Sequence, residues 1–174
     1  MNRSEAKVTP ARRIKEEART TPLVKDLSQE RWWLCFHGAV SESNQWPCHF
    51  PAGCPPSEAQ DASALTLYRA GKNRNEPHWR DGQSHYGRAP HKPEFDTCCH
   101  RGLSTYLTVD SVRTAMRNHP RRFKSVLRIE APSTCAVVTP TPRGGNNHHT
   151  LWLRAAHEES FTSWCTVVGG IGGP

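Results

Sequence analysis

Three short stretches carry residue types able to do chemistry on a phosphate-bearing ligand. Leu65-Thr66-Leu67-Tyr68-Arg69 reads as a strand ending on a guanidinium, which grips phosphate bidentately and keeps its charge at any working pH. Gly102-Leu103-Ser104-Thr105-Tyr106 reads as a second strand. Glycine lets a backbone approach a ligand closely, and small hydroxyls hydrogen-bond a ribose or an amide while leaving space. The third stretch is His148-His149-Thr150-Leu151-Trp152-Leu153, in which either histidine can bind ligand or exchange a proton near neutral pH. Each residue also has an ordinary reading: a surface arginine, hydroxyls on a strand's solvent face, a structural histidine. The weight therefore falls on the ordered set.

A second constellation is metallic. Cys35-x-His37, Cys48-His49, Cys54 and Cys98-Cys99-His100 include enough soft ligands for a zinc site, although no C-x₂₋₄-C spacing recurs. On this alternative the chain is a zinc-stabilised basic binding module that contacts nucleic acid or an acidic protein. Trp79, Tyr86 and Arg88 would stack on bases. No segment pairs a cysteine with an identifiable base, so a cysteine nucleophile is disfavoured.

The elements that position these groups follow from pattern. Ala11 to Arg19 is rich in helix formers, with Glu16-Glu17 placed to pair with Arg12-Arg13, and Pro22 breaks it. A second short helix is expected from Leu23 to about Trp33. Residues 1–26 have scarcely any apolar face, so they read as a basic arm dispensable for the fold, contacting an immunity or delivery protein. Residues 27–168 form the single domain and 169–174 a flexible tail. Prolines 47, 51, 55 and 56 keep residues 35–64 irregular, and Gly71 to His100 reads as a long polar loop carrying Trp79, Tyr86 and Phe95. Asp110 is the expected cap of a helix running to His119 before Pro120. Strands follow at Phe123–Ile129, Cys135–Val138 and Thr150–Leu153, with a turn at Gly144–Asn147 and a closing helix from Ala155 to Trp164. Strands interleaved with helices and long loops make an α+β class.

The whole chain is 174 residues with 23 Lys and Arg against 16 Asp and Glu, a net charge of +7, which favours anionic partners. Its 35% hydrophobic fraction implies a small core with long connections. No run approaches the roughly 18 apolar residues of a membrane span, so no membrane partner is expected. The N-terminus shows no apolar signal region, and the seven cysteines are irregularly spaced. Free thiols in a reducing cytoplasm are the expectation, with delivery into a target cell by a signal-less route left open.

Taken in order, Leu67-Tyr68-Arg69, Gly102-Leu103-Ser104-Thr105, the strand at Phe123–Ile129 and His149 before Leu151-Trp152-Leu153 resemble the ADP-ribosyltransferase-like superfamily. The likeness spans roughly residues 64–165 and is nearest to small toxin-type members delivered by bacterial type VI secretion. It implies a small split β-sheet core with flanking helices and long loops. NAD is the implied cofactor, and ADP-ribose transfer to a macromolecular target, protein or nucleic acid, the implied activity. Arg69, Ser104, Thr105 and Tyr106 would bind NAD. His149, Glu158 or Glu159 would meet the charge that develops during cleavage. The sequence departs from the family in having no Gln-x-Glu or Glu-x-Glu loop, so NAD hydrolysis stands beside transfer.

Overall fold

The computed structural model describes residues 46–90, 92–95, 97–141, 145 and 147–170. The expected N-terminal arm and second helix lie outside them. In chain order the strands are β1 (Gln60–Asp61), β2 (Leu67–Gly71), β3 (Leu103–Tyr106), β4 (Ser125–Ile129), β5 (Ala136–Pro140), β6 (His148–Leu153) and β7 (Cys165–Gly170). Among the described residues the α-helices are α1 (His85–Arg88), α2 (Cys98–Arg101) and α3 (Val109–Arg117). The seven strands form one antiparallel sheet in the order β1-β5-β6-β3-β2-β4-β7.

Alternation along each strand gives the sheet two buried faces. Leu67, Leu103, Ile129, Val138, Leu151 and Leu153 point to one face and pack with Phe161. Val126 lies on the other, beneath α3, where Val112 and Met116 are wholly buried beside Tyr68, Ala70 and Tyr106. Removing each of these two helix side chains from water contributes on the order of 1.5–3 kcal/mol. That burial, more than propensity, holds a helix only nine residues long.

Thr108, not Asp110, caps α3: its hydroxyl accepts from the Ser111 amide at 3.2 Å. Asp110 sits in the first turn, 3.7 Å from Arg113. The helix stops at Arg117, with Asn118 as its C-cap, just ahead of Pro120. The expected loop after Gly71 contains a 3₁₀ turn at Trp79–Gly82 and both short helices α1 and α2. The expected closing helix is instead two 3₁₀ stretches, Ala155–His157 and Glu159–Trp164. Strand β7 takes in Gly169 and Gly170, the first two residues of the segment read as a tail, and they pair with Val126 and Ser125.

Gly102 has a reason of its own. A Cβ there would meet the Leu151 carbonyl and the Trp152 Nε1 at 3.0 Å, so the close approach it permits is to β6. The cysteines also depart from expectation. Cys54 and Cys98 form a disulfide with Cα atoms 5.5 Å apart, and Cys48 is disulfide-bonded too. Cys99, Cys135 and Cys165 are free.

Candidate functional site

Pairing between β2 and β3 is confined to Tyr68 and Tyr106, whereas β2–β4 and β3–β6 pair along their lengths. The sheet thus parts beyond Tyr68, and Arg69 sits at the parting. The residue is 6% exposed, and its guanidinium is tied to three backbone carbonyls. Nε donates to Asp81 at 2.8 Å, Nη1 to Ser104 at 2.6 Å and Nη2 to Gln83 at 3.3 Å. A guanidinium has five N–H bonds, so one on each Nη is left for another acceptor. Burial, reinforced by Arg88 and opposed by Asp81, lowers the Arg69 pKa to about 10, which leaves it charged at neutral pH.

A cleft of about 290 Å³ opens at this point, lined by Arg69, Ala70, His85, Arg88, Ser104, Tyr106 and, from the region after α3, His119, Arg122 and Phe123. Three guanidinium groups converge there, and among the described residues no carboxylate lines it. Burial and then Arg122 lower the Arg88 pKa to about 10. Burial and then Arg88 lower that of His85 to about 4, so this imidazole is neutral in the cleft. Asp81, the nearby acid, is occupied: it accepts from the backbone amides of Lys72 at 3.1 Å and His78 at 2.9 Å. The complement of such a field is an anion.

Beside Arg69 stands a serine–histidine pair. Ser104 Oγ lies 2.5 Å from His148 Nε2, and the His148 ring meets Tyr106 edge-on with centroids 5.0 Å apart. The His148 pKa is lowered by burial, then by His149 and Arg69, so the ring is neutral and, in the tautomer protonated at Nδ1, can accept the serine proton at Nε2. Its Nδ1 is buried with no hydrogen-bond partner among the described residues. Beyond Tyr106 a second cleft of about 510 Å³ is lined by hydroxyls of Thr108, Ser111 and Thr114, with Asp110, Asn147 and His148.

The structure brings Arg69, Ser104, Tyr106 and His148 together. Thr105 and His149 lie on the face opposite Ser104, Tyr106 and His148. Thr105 is fully buried and donates to the His149 carbonyl at 3.1 Å, and His149 is 6% exposed with Nδ1 3.4 Å from the Asn147 carbonyl. The register explains the split, because Tyr106 faces His148 while Thr105 faces His149. Glu158 and Glu159 lie where the two 3₁₀ stretches meet and line neither cleft. Burial and then Glu159 raise the Glu158 pKa to about 7. Arg122 and His85 were not among the expected site residues, and Arg88 was expected only in the alternative binding module, as a base-stacking residue; the sequence signal for Arg122 is the basic pair Arg121–Arg122.

Three of the cysteines invoked for zinc are oxidised, and no cluster of three His, Cys, Asp or Glu suited to a metal occurs among the described residues. No described helix is long and apolar enough to cross a membrane. The fold and site define a mixed α+β protein with a cationic cleft in a seven-stranded antiparallel sheet. Comparison with protein-family models, curated proteins and solved structures finds no match for the chain.

Proposed function

We propose that the protein binds NAD at the parting of β2 and β3, breaks its nicotinamide–ribose bond and transfers ADP-ribose to a macromolecular target, as a toxin-like enzyme. The observation that carries this reading is the Arg69 guanidinium lodged in the parting, with two N–H bonds to spare, beside the Ser104–His148 pair. The residues fit a pyrophosphate, since Arg69, Arg88 and Arg122 face one cleft with no opposing carboxylate among the described lining residues. That cleft alone is near the lower bound of small-molecule sites, roughly 300–1,000 Å³. Together with the hydroxyl-lined cleft beyond Tyr106 it has room for a dinucleotide.

Bound NAD supplies a glycosidic bond to a stable leaving group. The chain's own residues do the rest. Arg69, Arg88 and Arg122 hold the phosphates, and the Ser104 hydroxyl orients the nicotinamide ribose. His148, neutral and accepting at Nε2, takes the proton of the attacking hydroxyl, or of water where the outcome is hydrolysis. Glu158 and Glu159 line neither cleft, so this reading gives their role to His148.

Nicotinamide release by the purified full chain, with and without cell lysate, tests this. Wild type consumes NAD, and His148→Asn slows it by about 10²–10⁴-fold, the usual contribution of a general base. Arg122→Gln raises KM. Equal, slow consumption by wild type and His148→Asn, with no labelled product in the lysate, overturns the reading.

A further inference from the structure

Outside the cleft the same positive field crosses an exposed aromatic ring. Trp79 is 61% exposed, well above Leu65 and Val168, the other exposed large hydrophobic residues described. The side chains on either side of it in sequence lie against it. The His78 ring stacks on it at 5.7 Å, and the Arg80 guanidinium lies 5.0 Å from its centroid. The turn beneath is locked by a reciprocal cap in which the His78 side chain accepts from the Arg80 amide and the Asp81 carboxylate accepts from the His78 amide. The Asp81 carbonyl then anchors the turn to Arg69 at 2.8 Å. The turn that carries this exposed ring is thus tied to Arg69 at the proposed site.

The cations around it outnumber the one nearby acid, Asp81, and none of them is in a direct ion pair among the described residues. The ion pairs of the described residues, Lys92–Glu94, Arg113–Asp110 and Arg128–Glu130, involve none of Lys72, Arg80, Arg88 or Arg122. Lys72 follows β2 directly, its amide bonded to Asp81, and feels Arg88, Arg122 and Arg80 strongly enough that they, after burial, lower its pKa. Lys72 is therefore within electrostatic reach of Arg80 and of the Arg88–Arg122 cleft, with Asp81 opposing them in part.

We propose that the macromolecular target is a single-stranded nucleic acid, with one base stacked on Trp79 and its backbone following Arg80 and Lys72 toward the cleft. An acidic protein surface would use the charges but offers a flat ring only where an aromatic side chain happens to be exposed, whereas every unpaired base offers one. A duplex keeps its bases stacked on one another and cannot offer one to an exposed tryptophan. The inference rests on the function proposed above for what the strand is used for, whereas binding of the strand is measurable without NAD.

The test is fluorescence anisotropy of end-labelled 12-nucleotide DNA and RNA strands with the full chain, in the absence of NAD. Single strands bind more tightly than the same sequence as a duplex. Trp79→Ala weakens binding about tenfold, the scale of one base–aromatic stack, and Trp79→Phe recovers most of it. Lys72→Gln and Arg80→Gln each weaken binding at low salt and flatten its salt dependence by about 0.7 in log K against log salt, one phosphate contact apiece. Duplex binding as tight as single-strand binding overturns the proposal. So does indifference to Trp79→Ala together with equal competition by polyglutamate, which would assign the surface to an acidic protein. Strand binding by a protein that consumes no NAD would overturn the proposed reaction and leave this surface standing.

Discussion

Burial, the adjacent His149 and the Arg69 guanidinium all disfavour the imidazolium form of His148, so its pKa lies below the ordinary 6.5. A base that acts through Nε2 works only when neutral. Its working form is therefore fully populated at neutral pH and is lost as pH falls through the lowered pKa. The predicted kcat/KM profile for NAD cleavage is flat around pH 7 and declines on the acid side with a midpoint below 6.5. An acid limb centred above pH 7 would exclude His148 as the base. Ser104 is hydrogen-bonded to the same nitrogen, so any attacking hydroxyl must displace or share that hydrogen bond.

At the scale of elements, the segment between β2 and β3 is held at both ends. Arg69 draws the carbonyls of Asp81 and Gln83 against β2 and that of Ser104 against the parting. Farther along, Cys98 is bound to Cys54, and its carbonyl accepts from Trp152 Nε1 at 2.9 Å. The disulfide closes a loop of 44 residues, and a cross-link of that span stabilises by about 2–4 kcal/mol, mainly through the unfolded chain. Cys54→Ser is predicted to lower unfolding free energy by that amount under oxidising conditions. Cys99→Ser, at an exposed free thiol, should change it by less than about 0.5 kcal/mol. Urea denaturation of both variants checks this, and equal midpoints would show that the cross-link adds nothing.

At the scale of the molecule, stability should bend with pH in two opposite senses. His49 and His85 have pKa values lowered to about 4, first by burial and then by Arg101 and Arg88 respectively. The unfolded chain binds more protons at these sites, so the stability they contribute is whole above about 6.5 and is lost as pH falls toward 4. Glu158 works the other way. Its pKa is raised from 4.5 to about 7, so folding is penalised as pH rises through that window and the carboxylate must ionise while buried. Glu158→Gln is therefore predicted to raise Tm at pH 8 and to leave it nearly unchanged at pH 4.5. An equal gain at both pH values would point to packing rather than charge.

Local pattern determined a good deal of this protein. Alternation located β4, strand-type residues located β2, β3, β5 and β6, Pro120 ended α3 close to its observed stop, and residue type singled out Arg69 and Ser104. These are properties of a chain segment and its immediate neighbours, so they can be read from one dimension. Tertiary structure decided what depends on which segments meet. The one-residue difference between His148 and His149 is a matter of register, because successive strand residues point to opposite faces and only the partner strand says which face holds the cleft. Arg88 and Arg122 are 34 positions apart and converge only because α1 and the turn after α3 cover the same side of the parting. The pairing of Cys54 with Cys98 likewise required the loop to return to β6. Strand β7 escaped notice because its valines lie beside glycines, and its order comes from β4, which it pairs with at the sheet edge.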